Sequence, residues 1–149
     1  MQGFEKNPIG PFLYALEFTV TEFGSSQENE LLFVQAFDYF CKNIIEVLAT
    51  PENCMRNSYL TNDYFGLCKR ILRYNEFIFY RNSHLMNFAQ VLMNSCGIDH
   101  YQSTMEIKGC FKEILKGLEQ DMAQGVLDGT TQQDTTVVAN KRQMWSFMK

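Results

Sequence analysis

The sequence is poor in the residues that most often carry chemistry. Histidine occurs only at His84 and His100, and neither has a second ligand three or four positions away, so no metal site is expected. The five cysteines, Cys41, Cys54, Cys68, Cys96 and Cys110, form no CxxC pair, which excludes a zinc knuckle and a thioredoxin-type redox centre. Each sits in an apolar periodic run and reads as a small core residue in a reducing compartment. There is no G-x-S-x-G elbow and no glycine-rich phosphate loop, so nucleophilic catalysis and nucleotide binding lack their usual scaffolds. The acidic neighbours Glu28 and Glu30, and Glu119 and Asp121, fall on solvated helix turns. No enzymatic activity and no cofactor are expected.

Long apolar runs are missing too, so no membrane span is expected. The first residues lack a basic start followed by an apolar stretch, and no N-x-Ser/Thr triplet occurs; together these point to a soluble intracellular chain. Positive charge is in deficit, with 13 basic against 17 acidic side chains and a net charge of −4. Neutralising nucleic-acid phosphates takes a clustered excess of Lys and Arg, so a direct nucleic-acid partner is excluded and a basic protein partner is not.

What the chain has is aromatic and aliphatic bulk, with 46% hydrophobic residues, 13 Phe and 7 Tyr in 149 residues. That is too much apolar area for disorder, and enough length for one domain or for three to four repeat units. The spacing of the apolar residues is helical nearly throughout. After Pro11, Leu13, Leu16, Val20 and Phe23 step by three and four, and Gly24 supplies a left-handed stop. Ser25 and Glu28 have the spacing of a capping box for a second helix, whose stripe is Phe33, Phe37, Phe40, Ile44 and Leu48. That helix ends before Thr50-Pro51.

A polar loop, 52–57, leads to a third helix striped by Tyr64, Leu67, Ile71 and Tyr74. The run Phe77, Ile78, Phe79, Tyr80 reads as a buried connector, with a short strand as the alternative. Ser83 is placed to cap a fourth helix carrying Leu85, Phe88, Leu92 and Cys96, which Gly97 ends. Asp99 is placed to cap a fifth, carrying Ile107, Phe111, Ile114, Leu118 and Met122. The polar stretch 126–140 reads as a linker or mobile loop, and 141–149 as the start of a further helix.

The predicted fold class is therefore all-α. Antiparallel helix pairs over 11–49, 57–97 and 99–124, within 1–125, recur at the period of HEAT-type repeats. Stacked, they make a fragment of a right-handed α-solenoid. One basic cluster, Lys69, Arg70 and Arg73 with Arg81 further on, is a candidate cargo-binding site. Arg70 and Arg73, three apart, share a helix face and could clamp an acidic or phosphorylated segment. The alternative is a solvated face balanced by Asp63 and Glu76.

Particular stretches resemble a known family. Phe12-Leu13-Tyr14 followed by Thr21-Glu22-Phe23-Gly24, Asn62-Asp63-Tyr64-Phe65 continuing through Arg70 to Arg73-Tyr74, and the turn Ile98-Asp99-His100 are similar, in order and spacing, to helices of the transportin-SR branch of the importin-β (karyopherin) family. The resemblance runs from about Pro11 to about Lys116. It implies a slice from the C-terminal half of a nuclear import receptor, a HEAT-repeat solenoid that shuttles between cytoplasm and nucleus. Such receptors carry serine/arginine-rich or other RNA-binding proteins, engage nucleoporins, and release cargo on binding RanGTP. The chain departs from the family in having Gly66 where a bulkier residue follows the aromatic, and in lacking a helix with several regularly spaced arginines. The competing reading, from the residues alone, is a self-contained helical adaptor that holds a partner helix in an apolar groove.

Overall fold

The computed structural model describes residues 9–98, 101–124 and 135–148, and all its regular elements among these residues are helical. Helix α1 (Ile9–Phe23) buries Leu13 and Val20, two turns apart on one side. Gly24 does end it, but by close approach and without left-handed backbone: a Cβ there would run into the Val20 carbonyl oxygen. The expected capping box does not form. The Ser25 hydroxyl instead donates to the Tyr74 carbonyl at 3.3 Å, and the chain takes a single 3-10 turn, Gln27–Asn29, before α2 (Glu30–Val47). A tertiary partner has taken the side chain that local pairing would have used.

Helix α2 buries Phe33, Phe37, Cys41 and Ile44. The segment read as a polar loop at 52–57 is mostly a short helix, α3 (Pro51–Arg56). Its start signal outweighs its polarity: Pro51 occupies the first turn, and the Thr50 hydroxyl accepts a bond from the Asn53 amide at 3.2 Å. Helix α4 (Ser58–Tyr74) follows, with Leu60, Tyr64, Phe65, Leu67, Cys68 and Ile71 all buried. The aromatic run after it forms a helical connector and not a strand. In this element, α5 (Glu76–Tyr80), the Asn75 side chain caps the Phe77 amide and Ile78, Phe79 and Tyr80 are buried.

Helix α6 (Leu85–Ser95) begins without a cap from Ser83, whose amide donates to Asp38 Oδ1; the Asn82 carboxamide oxygen accepts from the next amide, that of His84. Cys96 lies exposed beyond its end, so the expectation of five core cysteines holds for the other four only. Helix α7 (Tyr101–Ala123) turns Cys110, Ile114 and Leu118 inward, while Phe111 and Met122 stay 37% and 39% exposed. The core stripe is thus rotated from the expected one. Asp99 and His100, like positions 126–134 of the expected linker, lie outside the described residues.

The final helix, α8 (Thr135–Met148), starts six residues before position 141 and takes 135–140 away from that linker. The cause is tertiary. Val137 and Met144 are fully buried, and Asn140 between them donates to the Tyr80 carbonyl at 2.6 Å. Their stripe is too sparse, and too interrupted by polar residues, to stand out in the sequence.

Helix α4 packs most extensively against α7 on one side and α1 on the other. All three run in the same direction. Gly10 faces Asp63 and Glu17 faces Arg70, so a two-turn step along α1 matches the same step along α4. Lys69 meets Gly109 and Arg73 meets Glu113, which repeats the relation between α4 and α7. The second layer consists of α2, α5, α6 and α8, with α5 and α6 each touching both α2 and α8. Between the layers an aromatic cluster (Tyr64, Phe65, Phe79 and Phe88, with Phe37 against Phe79) keeps ring centroids 5.0–6.4 Å apart in tilted and edge-on arrangements, the geometry aromatic quadrupoles favour. No helix of the described residues is long and apolar enough to cross a membrane.

Candidate interaction surfaces

The four cations singled out as a cargo site are all present at the surface of the first layer and its flank, and each is already matched to a carboxylate. Lys69 Nζ lies 2.6 Å from Glu106, Arg70 Nε 3.2 Å from Glu17, Arg73 3.0 Å from Glu113 and Arg81 2.5 Å from Glu30. The acids that balance them are not Asp63 and Glu76, as the spacing suggested. Those of Lys69, Arg70 and Arg73 come from α1 and α7, which flank α4, and that of Arg81 comes from α2. Arg70 reaches toward α1 and Arg73 toward α7, so the two do not converge as one clamp.

These pairs are partly exposed, and pairs of this kind contribute little to stability, about 0–1 kcal/mol each. They mark which turns of neighbouring helices face each other. Around Arg70 the negative charge is in excess: burial raises the Glu17 carboxyl above its ordinary range, with Arg70 opposing and the nearby Glu106 and Asp63 adding to the rise. Burial does the same to Asp63.

A second charged group escaped the sequence reading. Lys141 is completely buried, with its ammonium 2.9 Å from Glu76 Oε1 and 2.7 Å from Asp121 Oδ2. The same ammonium lies 5.8 Å from the Phe77 ring centre and 5.3 Å from that of Tyr80, within cation–π range. The arrangement binds α5, α7 and α8 together. The one available signal was that Lys141 falls between Val137 and Met144 at helical spacing, where a side chain on the buried face is expected.

Three of the buried thiols, Cys41, Cys54 and Cys68, are held in the unreactive protonated form. Burial pushes the Cys41 thiol up to about 12, against the opposing bond from the Asn82 carboxamide, and raises those of Cys54 and Cys68 as well; thiolates are the reactive form. Among the described residues no group of three His, Cys, Asp or Glu could hold a metal ion.

Exposed apolar side chains occur on several of the described helices, α2 included, and two regions bear on binding. On α1, Phe12 and Phe23 are exposed on one flank and Tyr14 and Phe18 on another, the phenylalanines 58–63% exposed. At the other side of the molecule, a groove of about 590 Å³ runs between α6, α7 and α8, with Leu92, Met93, Phe111 and Phe147 in its lining and Lys108 and Lys112 among them. That volume falls within the roughly 300–1,000 Å³ common for binding clefts. The sequence hid this groove because its walls come from three helices and its apolar residues read as continuations of core stripes.

Compared with models of known protein families, with curated proteins and with solved structures, the chain has no significant match.

Proposed function

We propose that this chain is a run of stacked two-helix, HEAT-type repeats that works as a protein-binding scaffold without chemistry of its own. In keeping with the family its motifs resemble, it serves as a segment of a nuclear import receptor for arginine/serine-rich cargo. The observation that carries the reading is the parallel register of α1, α4 and α7. In an up-and-down bundle the spatial neighbours are successive helices, which run antiparallel. Here the corresponding helices of successive pairs lie side by side and point the same way, as they do when a two-helix unit is repeated by translation. The uncovered aromatic side chains of α1 fit the same account, since a stacked unit buries one face on each neighbour.

A net charge of −4 favours the arginines of such a cargo, while its phosphates need local cations. Lys69, Arg70, Arg73 and Arg81 enter this account as exchangeable contacts. A phosphoserine carries more charge and more acceptor oxygens than the carboxylate it would displace, so it competes for Arg70 or Arg73 despite Glu17 and Glu113.

The test is retention of the chain on an immobilised Arg/Ser-repeat peptide, phosphorylated and unphosphorylated. The expected result is retention on the phosphorylated form, weakened in an Arg70→Gln, Arg73→Gln double variant. Glutamine is preferred to glutamate because a carboxylate at position 70 would face Glu17 directly. No retention at all would overturn the import-cargo reading for this segment, and equal retention by both chains would remove Arg70 and Arg73 from the cargo surface.

A further inference from the structure

We infer that the groove between α6, α7 and α8 is a docking site for an acidic amphipathic helix of a partner protein. The inference is argued from the local arrangement of these three helices alone.

The lining is apolar over most of its extent. Leu92 and Met93 come from α6, Phe111 from α7 and Phe147 and Met148 from α8. A helix laid between helices presents side chains every three to four residues, which suits a trough of this kind. Met93 is 60% exposed, and its unbranched thioether can adjust to an incoming side chain, as can that of Met148.

Charge decides the chemistry of the occupant. Lys108 and Lys112 stand one turn apart on α7 in the wall of this groove, both exposed. Neither takes part in an ion pair among the described residues, whereas Lys69, Arg70, Arg73, Arg81 and Lys141 all do. A described lining with two lysines and no acid favours a segment whose hydrophobic stripe is flanked by Asp or Glu. A basic segment would set like charges together. A bilayer surface is the weaker fit, because the apolar floor lies in a cleft between helices and not on a protruding edge.

The groove contains its own reporter. Cys96 lies in the lining and is the exposed one of the five thiols, the others being buried. The experiment uses the full chain and a labelled synthetic amphipathic helix with a leucine stripe flanked by glutamates. A second peptide carries lysines in place of the glutamates, and phosphatidylserine vesicles form a third arm. Binding is read by fluorescence anisotropy, and occupancy of the groove by the rate at which a maleimide modifies Cys96.

The acidic peptide is expected to bind saturably and to slow Cys96 modification. Its affinity should fall roughly tenfold in a Lys108→Glu, Lys112→Glu double variant, and again as salt is raised. Both lysines are exposed, so circular dichroism should find that variant folded like the parent. The inference is overturned if the two peptides bind equally well, if the double variant binds unchanged, or if Cys96 in the saturated complex reacts at its free rate. Protection by vesicles and not by peptide would assign the groove to lipid. Protection that grows with chain concentration alone would assign it to a second copy. Either result overturns the partner-helix inference.

Discussion

A lysine with no solvent exposure is the most demanding residue in this protein. Taking an ammonium out of water costs several kcal/mol, and Lys141 offsets that through Glu76 and Asp121 together with the faces of Phe77 and Tyr80. Removing the cation alone strands two carboxylates, one of them (Asp121) only 14% exposed. Lys141→Met is therefore expected to destabilise the chain by about 3 kcal/mol in urea unfolding. Adding Glu76→Gln and Asp121→Asn to that variant should recover most of the loss, because the stranded charges are then gone. If the single substitution costs less than about 1 kcal/mol, the ammonium is not held as a buried ion. The surface pairs of Lys69, Arg73 and Arg81 differ in kind: water already screens them, and their loss changes stability by only about 0–1 kcal/mol each.

At the scale of an element, α4 occupies the central place in its layer, and Gly66 is its least helix-favouring interior residue. A glycine inside a helix costs roughly 0.5–1 kcal/mol relative to alanine, through the backbone freedom it gives up on folding. A Cβ at position 66 would come no nearer than 3.7 Å to the Glu106 and Glu17 carboxylates, an ordinary contact. Gly66→Ala should therefore raise stability by about 0.5–1 kcal/mol, seen as a higher midpoint in thermal unfolding followed by circular dichroism. Gly109→Ala in α7 is the informative comparison. There the new methyl would sit 3.0 Å from Lys69 Cδ, so the lysine must shift from its place beside Glu106. The propensity gain at 109 should be smaller than at 66. A larger gain at 109 would mean that the α4–α7 contact is looser than described.

For the molecule as a whole, the unevenness of its outer faces is the feature with consequences. Helix α1 presents Phe12 and Phe23 on one flank and Phe18 on another, while α7 at the opposite side of the layer presents Lys108 and Lys112. Uncovered aromatic side chains drive association unless another element covers them. In light scattering over a concentration series, the chain is expected to self-associate. A Phe12→Ser, Phe18→Ser double variant should remain monomeric, with its helical content unchanged because both positions point away from the core. A parent chain that stays monomeric at every concentration would mean that the α1 aromatics are covered, and would weaken the stacked-repeat account.

How much of this was legible in advance follows from the range of each interaction. Helix identity is a local property: the spacing of Phe33, Phe37, Ile44 and Leu48, or of Tyr64, Leu67 and Ile71, needs only neighbours three or four residues away, and so it was readable. Thr50-Pro51 was readable as the end of one helix, and its role in starting α3 could have been seen from the same two residues. Ser25 misled because its hydroxyl answers to Tyr74, far away in the chain.

The sequence by itself determined that the chain is helical, where most of its helices lie, and that its centre is aromatic. Only the tertiary structure decided that α1, α4 and α7 run parallel, that each candidate cation is matched to an acid on another helix, and that Lys141 belongs inside. It also decided that a groove opens beside Lys108 and Lys112. Those features depend on which faces of separate helices meet and in what register, and that is set by the packing of whole elements, not by the conformational preference of any stretch of chain.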